Sequence, residues 1–254
     1  MRIRPMQLSD LPTAATISSK AFRTDQFFRY ICPRLNDYPD DFRAFLLRQH
    51  RKRILQVGAV AHVAEIDETD PEGMRKVVGV AIWKRIGANE TARAWKKPNS
   101  GYMKSLERWL QYFEEAYFTV FIGHRSADKK RVSDVYASLD NMFPKDIFDD
   151  YWYLQHLAID PAFQRRGIGT LLTKWGVERA REEGCCVTLD ASVAGKPMYE
   201  RLGFQVIKIL PGDPSKGLCD IPVLVWQPEN SQEDWVGRAK ARTEEEKREG
   251  RMLV

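Results

Sequence analysis

The chain has 254 residues, 43% of them hydrophobic and 30% charged, with a formal net charge of +5 and a pI near 9.0. These values are those of a globular protein with a substantial core. No stretch approaches eighteen consecutive apolar residues, and the N-terminus lacks the apolar segment of a secretory signal, so we expect no membrane association. The positive charge is thinly spread and no nucleic-acid-binding module is evident, so we expect no nucleic-acid partner either.

The cysteines and histidines indicate the compartment and argue against a metal site. The four cysteines form no C-x-x-C pair, and a bridge between adjacent Cys185 and Cys186 would be strained. Reduced thiols predict a cytoplasmic protein, without arguing against the nucleus. The four histidines are scattered without metal-ligand spacing, so no metal is expected.

The first third of the chain predicts alternating strands and helices. Ser9 or Asp10 can cap a helix that begins near Pro12. The polar segment 67–73 predicts a hairpin loop. Hydrophobic patterning predicts strands over 3–7, 60–66 and 76–84 and helices over 12–22 and 40–56.

Residues 86–150 differ in character and predict a helical insertion. We interpret this insertion as a cover over a ligand pocket; a satellite hydrophobic cluster with solvated acids is the alternative. Its aromatic side chains are Trp95, Tyr102, Trp109, Tyr112, Phe113, Tyr117, Phe118 and Phe121. Its aspartates include Asp134, Asp140, Asp146, Asp149 and Asp150.

Regular patterning returns after residue 150. Mixed strands and helices predict one α/β domain over 1–228, and the charge-rich segment 229–254 is interpreted as a tail, either mobile or a surface helix. The predicted strands are 151–159, 186–190, 204–209 and 223–226, with helices over 167–183 and 196–202.

One segment carries the chemistry. Gln164-Arg165-Arg166-Gly167-Ile168-Gly169-Thr170 opens an amphipathic helix, where free backbone N–H groups, the helix dipole and two arginines favour a pyrophosphate. A basic helix start with incidental glycines is the alternative. Thirty residues downstream, Met198-Tyr199-Glu200-Arg201-Leu202-Gly203-Phe204 predicts a short helix that ends at Gly203 before another strand.

These two segments together resemble the GCN5-related N-acetyltransferase (GNAT) superfamily, with its Q/R-x-x-G-x-G/A and Y-x-x-x-G-F pattern. The resemblance covers residues 151–210, the acetyl-CoA motif region, and is closest to fungal and puromycin-acetyltransferase-like small-molecule members. It implies a mixed, mostly antiparallel sheet with a splayed central strand pair, flanked by helices. The helical insertion and the tail have no counterpart in the family pattern. With an acetyltransferase expected, the insertion is interpreted as a cover over the acceptor pocket that helps select a cationic or aromatic amine.

The resemblance also implies roles for particular residues. Leu157, Ala158 and Ile159 would pair with the pantetheine arm of acetyl-CoA, and the N–H near Leu157 would stabilise the thioester oxyanion. Tyr199 would protonate the departing thiolate, and Ser192 would contact the donor. The pyrophosphate would lie on Gln164, Arg165, Arg166, Gly167, Ile168, Gly169 and Thr170.

The general base is left open. Gln155 stands where relatives often have a base and cannot accept a proton at neutral pH. Strand alternation places Tyr153 and Gln155 on one face and His156 on the other, which favours a structural role for His156. Asp190 could act through water or serve as a cap, and the amine could instead lose its proton to solvent.

The resemblance implies an acetyl-CoA-dependent N-acetyltransferase that acts on a primary amine of a small molecule. A protein lysine or N-terminal acetyltransferase and a non-catalytic acetyl-CoA-binding protein remain as alternatives. The sequence identifies neither the acceptor amine nor the oligomeric state.

Overall fold

A seven-stranded sheet organises the protein, in the order β1-β2-β3-β4-β5-β7-β6. The computed structural model describes residues 1–69, 75–118, 123–139, 143, 146–213, 215, 217–231 and 233–248. The strands are β1 (Arg2–Pro5), β2 (Ala59–Thr69), β3 (Arg75–Ile86), β4 (Tyr151–Ile159), β5 (Cys186–Asp190), β6 (Gln205–Leu210) and β7 (Ile221–Trp226).

Helices lie on both faces of this sheet. In chain order they are α1 (Leu11–Ala21), α2 (Gln26–Ile31), α3 (Pro39–Ile54), α4 (Glu90–Lys96), α5 (Tyr102–Tyr117), α6 (Lys129–Leu139), α7 (Ile168–Glu183), α8 (Lys196–Arg201) and α9 (Trp235–Arg248). Short 3₁₀ turns occupy Leu8–Asp10, Lys97–Asn99 and Pro161–Phe163. Among the described helices, none combines the length and apolarity needed to cross a bilayer.

The strand directions confirm the fold class expected from the sequence. Every neighbouring pair is antiparallel except β4 and β5, which run parallel. A parallel pair needs a crossover connection, and α7 supplies it by leaving the end of β4 and returning to the start of β5. The sheet is therefore mixed and mostly antiparallel.

Helix α7 covers one face of the sheet through side chains spaced four residues apart. Ile168, Leu172 and Ala180 on this helix are buried in the core. A Cβ atom at Gly176 would lie 2.3 Å from the indole ring of Trp83, so only glycine lets the helix rest on this tryptophan. The opposite face is covered by α1, where Ala14 and Ile17 pack against β2 and β3.

A buried arginine links the start of β4 to the end of α7. The side chain of Arg85 is 0% exposed; its Nε donates to Glu183 Oε2 at 2.7 Å and its Nη2 to Asp150 Oδ2 at 3.0 Å. Glu183 also accepts from the indole N–H groups of Trp95 at 2.8 Å and Trp152 at 3.3 Å. The hydrogen-bonded carboxylates keep Arg85 charged inside the core, since they raise its pKa against the opposing effect of burial.

The charged segment near the C-terminus does not behave as a loose tail. Helix α9 packs on β6 and β7 and buries Trp235, Val236, Ala239 and Thr243 against the sheet. Its four buried positions are spaced on one side of the helix, while the charged residues occupy the remainder. Of the two alternatives for the segment 229–254, a mobile tail or a surface helix, the described residues 235–248 form the helix.

Other differences from the sequence predictions are local. Helix α2 was not predicted, because only six residues form it. Asp25 caps this helix by accepting a hydrogen bond from Phe28 N at 3.1 Å. Between β3 and β4, the described part of the predicted insertion contains α4, α5 and α6. Residues 70–73 of the predicted hairpin loop, together with Phe121 and Asp140, lie outside the described residues.

Candidate active site

The central strand pair separates halfway along β4. Strands β4 and β5 pair from Tyr151 opposite Cys186 to Leu154 opposite Leu189. Beyond Leu154, β5 pairs only with β7 among the described strands, and Asp190 lies opposite Val223. The edge of β4 from Leu157 to Ile159 therefore has no strand partner on the β5 side within the described chain. A β-strand edge of this kind can pair with an extended ligand.

A bulge marks the point of separation. Along β3, Ile82 lies opposite His156 and Trp83 lies opposite Leu154, so Gln155 is an extra residue in β4. Because of this residue, Tyr153 and His156 both lie opposite even-numbered residues of β3, namely Lys84 and Ile82. The two side chains thus share a face, and the sequence prediction that His156 faces away from Tyr153 is wrong.

The start of α7 presents unpaired backbone amides. The first hydrogen bond of the helix runs from Leu171 N to Gly167 O, at 2.9 Å, and the amides before it have no acceptor inside the helix. Arg165 has a φ of 62° and Gly167 has a φ of 81°, both in the left-handed region. Left-handed residues in such a turn orient successive N–H groups into a concavity that binds anions. The dipole of α7 adds partial positive charge at the same point.

Hydrogen bonds and one stacking contact within the protein hold the turn that leads into α7. Asp160 Oδ1 accepts from Ala162 N at 3.0 Å, and the side chain of Gln164 donates to Ile159 O at 3.2 Å. Arg166 donates to Ala162 O at 3.3 Å, and its guanidinium stacks 5.0 Å from the ring centroid of Phe163. These contacts fix the loop between β4 and α7 before any ligand binds.

A cleft of about 680 Å³ opens where β4 separates from β5. This volume lies within the usual range for small-molecule and cofactor sites. Eleven of the twelve predicted site residues line it: Leu157, Ala158, Ile159, Gln164, Arg165, Gly167, Ile168, Gly169, Thr170, Ser192 and Tyr199. The exception is Arg166, which does not line the cleft; its side chain stacks on Phe163, which does.

The sequence did not reveal one wall of this cleft. The end of α1 and the loop before α2 contribute Phe22, Thr24 and Asp25, and the loop between β6 and β7 contributes Cys219. Neither segment carries a recognisable motif. Neither loop gave a signal of a site in the sequence, and only the fold brings them to the end of β4.

Three charged residues line the described part of the cleft. Arg165 and Arg201 are cations, and Asp25 is the carboxylate. Burial raises the pKa of Asp25, although hydrogen bonds from the Phe28 and Phe27 amides lower it. Burial also raises the pKa of the Cys219 thiol, and the nearby Asp25 carboxylate adds to that effect. Asp25 and Cys219 are therefore neighbours on the wall that the sequence did not predict.

Tyr199 lies in the wall of the cleft with its ring in the core. The side chain is buried, and its ring meets Phe204 edge-on at a centroid distance of 5.7 Å. Burial, followed by the nearby carboxylate of Asp190, raises the pKa of Tyr199, so the phenol stays protonated at neutral pH. Its hydroxyl makes no hydrogen bond with any described residue, which leaves its proton available to a ligand in the cleft.

Ser192 has a local partner. Its Oγ accepts from Gly195 N at 3.1 Å, which stabilises the turn before α8. Since a hydroxyl both accepts and donates, Ser192 keeps its proton for a second contact.

The candidate bases are all engaged elsewhere. Gln155 donates to Gln56 Oε1 at 2.9 Å. Asp190 accepts from the Tyr153 hydroxyl at 2.7 Å, and burial raises the pKa of this carboxyl. Neither Asp190 nor Gln155 lines the cleft.

His156 belongs to a buried polar cluster between β4, α1 and α3. Its Nε2 lies 2.8 Å from Ser18 Oγ and 2.9 Å from His50 Nε2, and Arg53 donates to its Nδ1 at 3.3 Å. Burial, with His50 and Arg53 nearby, lowers the pKa of His156 well below its ordinary value. The ring is therefore neutral and structural, in agreement with the role that the sequence favoured for it.

The described residues of the helical insertion do not line this cleft. None of its described residues lines the cavity, so the expectation that its aromatic side chains enclose the acceptor does not hold for the described part of the chain. The aromatic residues of α5 face solvent instead. Asp150, one of the acids expected at the pocket, pairs with buried Arg85 at 2.7 Å.

The protein belongs to the acetyltransferase (GNAT) family, whose sequence profile matches residues 34–204. Members of this family use acetyl-CoA as the acetyl donor, and the free amides of the α7 start and the adjacent Arg165 suit the donor's pyrophosphate.

Named relatives agree with this assignment. A protein called acetyltransferase from the fungus Stachybotrys chartarum is 29% identical over 200 residues, which cover 78% of this chain and 77% of that protein. The uncharacterized N-acetyltransferase YafP of Escherichia coli is 33% identical over 85 residues, covering 33% of this chain and 54% of the relative. The protein is an N-acetyltransferase.

A solved structure shares the fold. It is described as histone acetyltransferase HPA2 and related acetyltransferase from Corynebacterium glutamicum. The two chains have a TM-score of 0.57 and 22% sequence identity, over 91% of this chain and 98% of the other.

Proposed function

We propose that the protein transfers the acetyl group of acetyl-CoA to a primary amine of a small, positively charged molecule. The charge distribution of the cleft is the observation that carries this proposal. Arg165 and Arg201 suit the anionic donor, whereas Asp25 supplies a partly buried carboxylate from a different wall. A desolvated carboxylate whose pKa is raised gains more from a neighbouring cation than an exposed one does.

Different residues of the cleft bind different parts of the acetyl donor. The amides from Arg165 to Thr170 hold the pyrophosphate, with Gln164 and Arg165 at its side. The free edge of β4 from Leu157 to Ile159 pairs with the pantetheine arm. Ser192, on the far side of the split, donates its remaining hydroxyl proton to the same arm. This arrangement leaves the thioester beside the bulge and near Tyr199.

The chemistry is a direct transfer. The neutral amine forms a C–N bond with the thioester carbon, and the strand amide near Leu157 stabilises the negative charge that develops on the carbonyl oxygen. The C–S bond then breaks, and Tyr199 donates its proton to the departing sulfur. The amine nitrogen loses its extra proton to solvent, because the Asp190 carboxylate is held by Tyr153 away from the cleft lining.

A panel of acceptors tests this function. Purified protein is given acetyl-CoA with monoamines, diamines, aromatic amines, a lysine-containing peptide and a peptide with a free N-terminus. Acetylated products are measured by mass spectrometry, because a thiol reagent would also react with Cys219 in the cleft. We expect turnover of small cationic amines and little of either peptide. Preference for a peptide supports a protein acetyltransferase, and donor binding without transfer supports a non-catalytic protein.

The role of Asp25 has its own test. The variant Asp25→Asn keeps the cap on α2, because an asparagine side-chain oxygen also accepts from Phe28 N. It should raise the KM for a diamine at least about tenfold, the scale of one charge-assisted hydrogen bond, and leave the Kd for acetyl-CoA unchanged. Asp149→Asn removes an exposed carboxylate outside the cleft and serves as the matched control. An unchanged diamine KM in Asp25→Asn contradicts the assignment.

A further inference from the structure

Helix α5 turns its polar side toward the protein. Arg108 donates to Asn99 O at 2.6 Å and to Leu55 O at 3.3 Å, and the buried side chain of Gln111 donates to Arg48 O at 3.3 Å. Glu114 and Glu115 pair with arginines of α3 at 2.8 Å and 3.4 Å. A surface helix ordinarily buries its apolar side, so the orientation of α5 is inverted.

The apolar side of α5 consequently faces solvent. Its eight large apolar side chains are 38% to 82% exposed, and Trp109 packs against Phe113 at a ring-centroid distance of 4.2 Å. The eight are Tyr102, Met103, Leu106, Trp109, Leu110, Tyr112, Phe113 and Tyr117, called here the α5 face. Each lies three or four residues from another member of the set, so the face runs along the whole helix.

The size of the α5 face is that of an interface. At the areas typical of these side chains, it exposes roughly 900 Å² of mainly apolar surface. The largest apolar patch of an ordinary monomer is about 300–600 Å². A standard protein–protein interface buries about 800 Å² on each partner. One copy of the α5 face therefore supplies the surface that a stable dimer needs.

The residue order of α5 suits a second copy of the same helix. An antiparallel pair with its twofold axis between positions 109 and 110 places Tyr102 opposite Tyr117, Leu106 opposite Phe113 and Trp109 opposite Leu110. Apolar residues thus meet apolar residues along the whole length of the contact.

The charge of α5 disfavours a membrane surface as the occupant. Helices that lie on membranes are rich in lysine and arginine on their polar side. The polar residues of α5 include two cations, Lys104 and Arg108, and three carboxylates, Glu107, Glu114 and Glu115. Arg108 and the last two carboxylates are already engaged with the protein body.

We propose that the α5 face is a dimer interface, in which α5 packs antiparallel against α5 of a second copy of this chain. No described residue of α5 lines the cleft, so each protomer keeps a complete acetyl-transfer site. The inverted orientation of α5 then has a physical reason. The polar side anchors the helix to α3, and the apolar side is buried between the two protomers.

Sedimentation equilibrium of the full chain tests the interface. We expect a dimer at micromolar concentration, and a dimer dissociation constant at least about 100-fold higher in Trp109→Glu, because a central tryptophan is lost from both protomers. Leu8→Glu is the matched control, since Leu8 is 69% exposed and lies outside α5. Acetyl-CoA affinity should be unchanged in both variants, which also shows that they are folded. A wild type that stays monomeric at about 100 μM, with or without binding to phosphatidylcholine vesicles, overturns the proposal.

The register has a separate test by disulfide formation. Tyr102→Cys and Tyr117→Cys are made in a Cys219→Ser background and oxidised with diamide. We expect a disulfide-linked dimer only when the two variants are mixed, because Tyr102 of one protomer lies opposite Tyr117 of the other. Linkage of Tyr102→Cys to itself indicates parallel helices and refutes the antiparallel arrangement, as does equal linkage in every combination.

Discussion

Substitutions at the two glycines that flank α7 distinguish an effect on ligand binding from an effect of backbone strain. Gly167 at its start has a φ of 81° and Gly184 at its end has a φ of 67°, and a Cβ atom at either would meet no atom within 4 Å. Alanine at each position must therefore adopt the left-handed conformation or distort the turn, at a cost of about 1–2 kcal/mol. For a chain of this size, either substitution should lower Tm by roughly 5 °C.

The two variants should differ in their affinity for the donor. Only Gly167 lines the cleft, and a change in its φ redirects the amides that would hold the pyrophosphate. Loss of one hydrogen bond to a charged group weakens binding by about 10- to 100-fold, since such a bond contributes about 1.5–3 kcal/mol. Titration calorimetry with acetyl-CoA should show this loss in Gly167→Ala and wild-type affinity in Gly184→Ala.

Equal affinities in the two variants, at equal losses of Tm, would refute the assignment of the α7 start to the pyrophosphate. A third variant, Gly169→Val, provides an independent check. Its Cβ atom would lie 3.0 Å from Met198 Sδ, and the flexible methionine can yield without much loss of stability. Since Gly169 and Met198 both line the cleft, the added side chain should still weaken acetyl-CoA binding.

Three further predictions concern proton donation, the core and acid stability. Tyr199→Phe keeps the buried ring, so acetyl-CoA affinity and Tm should hold while kcat falls on the order of 10²-fold; a normal kcat makes Tyr199 a packing residue. Glu183→Gln leaves buried Arg85 without one of its two carboxylates and should lower the free energy of unfolding by about 3–5 kcal/mol, or Tm by about 10 °C. The control Glu182→Gln removes an exposed ion pair and should lower the free energy of unfolding by under about 1 kcal/mol. Equal thermal melts of the two variants would contradict this ranking. Burial lowers the pKa of all four histidines, so the unfolded chain takes up protons first and stability should fall as the pH drops below about 6.5, by up to about 1.4 kcal/mol per histidine per pH unit. They are His50 (pKa about 3), His62 (about 4), His124 (about 4) and His156 (well below the ordinary value). Urea unfolding at pH 7.0 and pH 5.5 measures this difference, and equal free energies of unfolding would show that these rings are accessible to protons.

The sequence predicted the donor side of the site because local chain geometry defines it. A helix start with glycines carries its free amides wherever the helix lies, so residues 164–170 could be proposed for the pyrophosphate before their surroundings were known, and this role stays a prediction. The predicted strand from Tyr151 to Ile159 also coincides with β4. The roles of Leu157, Ser192 and Tyr199 stay predictions, although the structure brings all three into the lining of one cleft.

The wall formed by Asp25 and Cys219 could not be predicted in the same way. These residues are 194 positions apart in the chain, and neither belongs to a periodic or glycine-rich segment. They approach each other only because the sheet order places β7 and β6 beyond β5 while α1 crosses the end of β4. Contacts of this kind depend on the complete topology, which no local pattern contains. The amphipathic pattern of α5 misled for a related reason: periodicity shows that a helix has an apolar side but not whether that side faces its own chain.

The bulge at Gln155 links the fold to the chemistry most directly. Strand alternation predicts opposite faces for neighbouring side chains, and this rule fails where one extra residue enters the strand. In β4 the extra residue places His156 in the buried cluster with His50 and Ser18, so the histidine closest to the split cannot reach the cleft. The same irregularity coincides with the end of pairing to β5 and leaves the backbone from Leu157 to Ile159 open to a ligand. One inserted residue thus coincides with both the open strand edge proposed to bind the donor and the burial of His156 outside the cleft lining. Proton loss from the acceptor to solvent follows from that arrangement, and it predicts that kcat/KM rises with pH as the free amine becomes neutral.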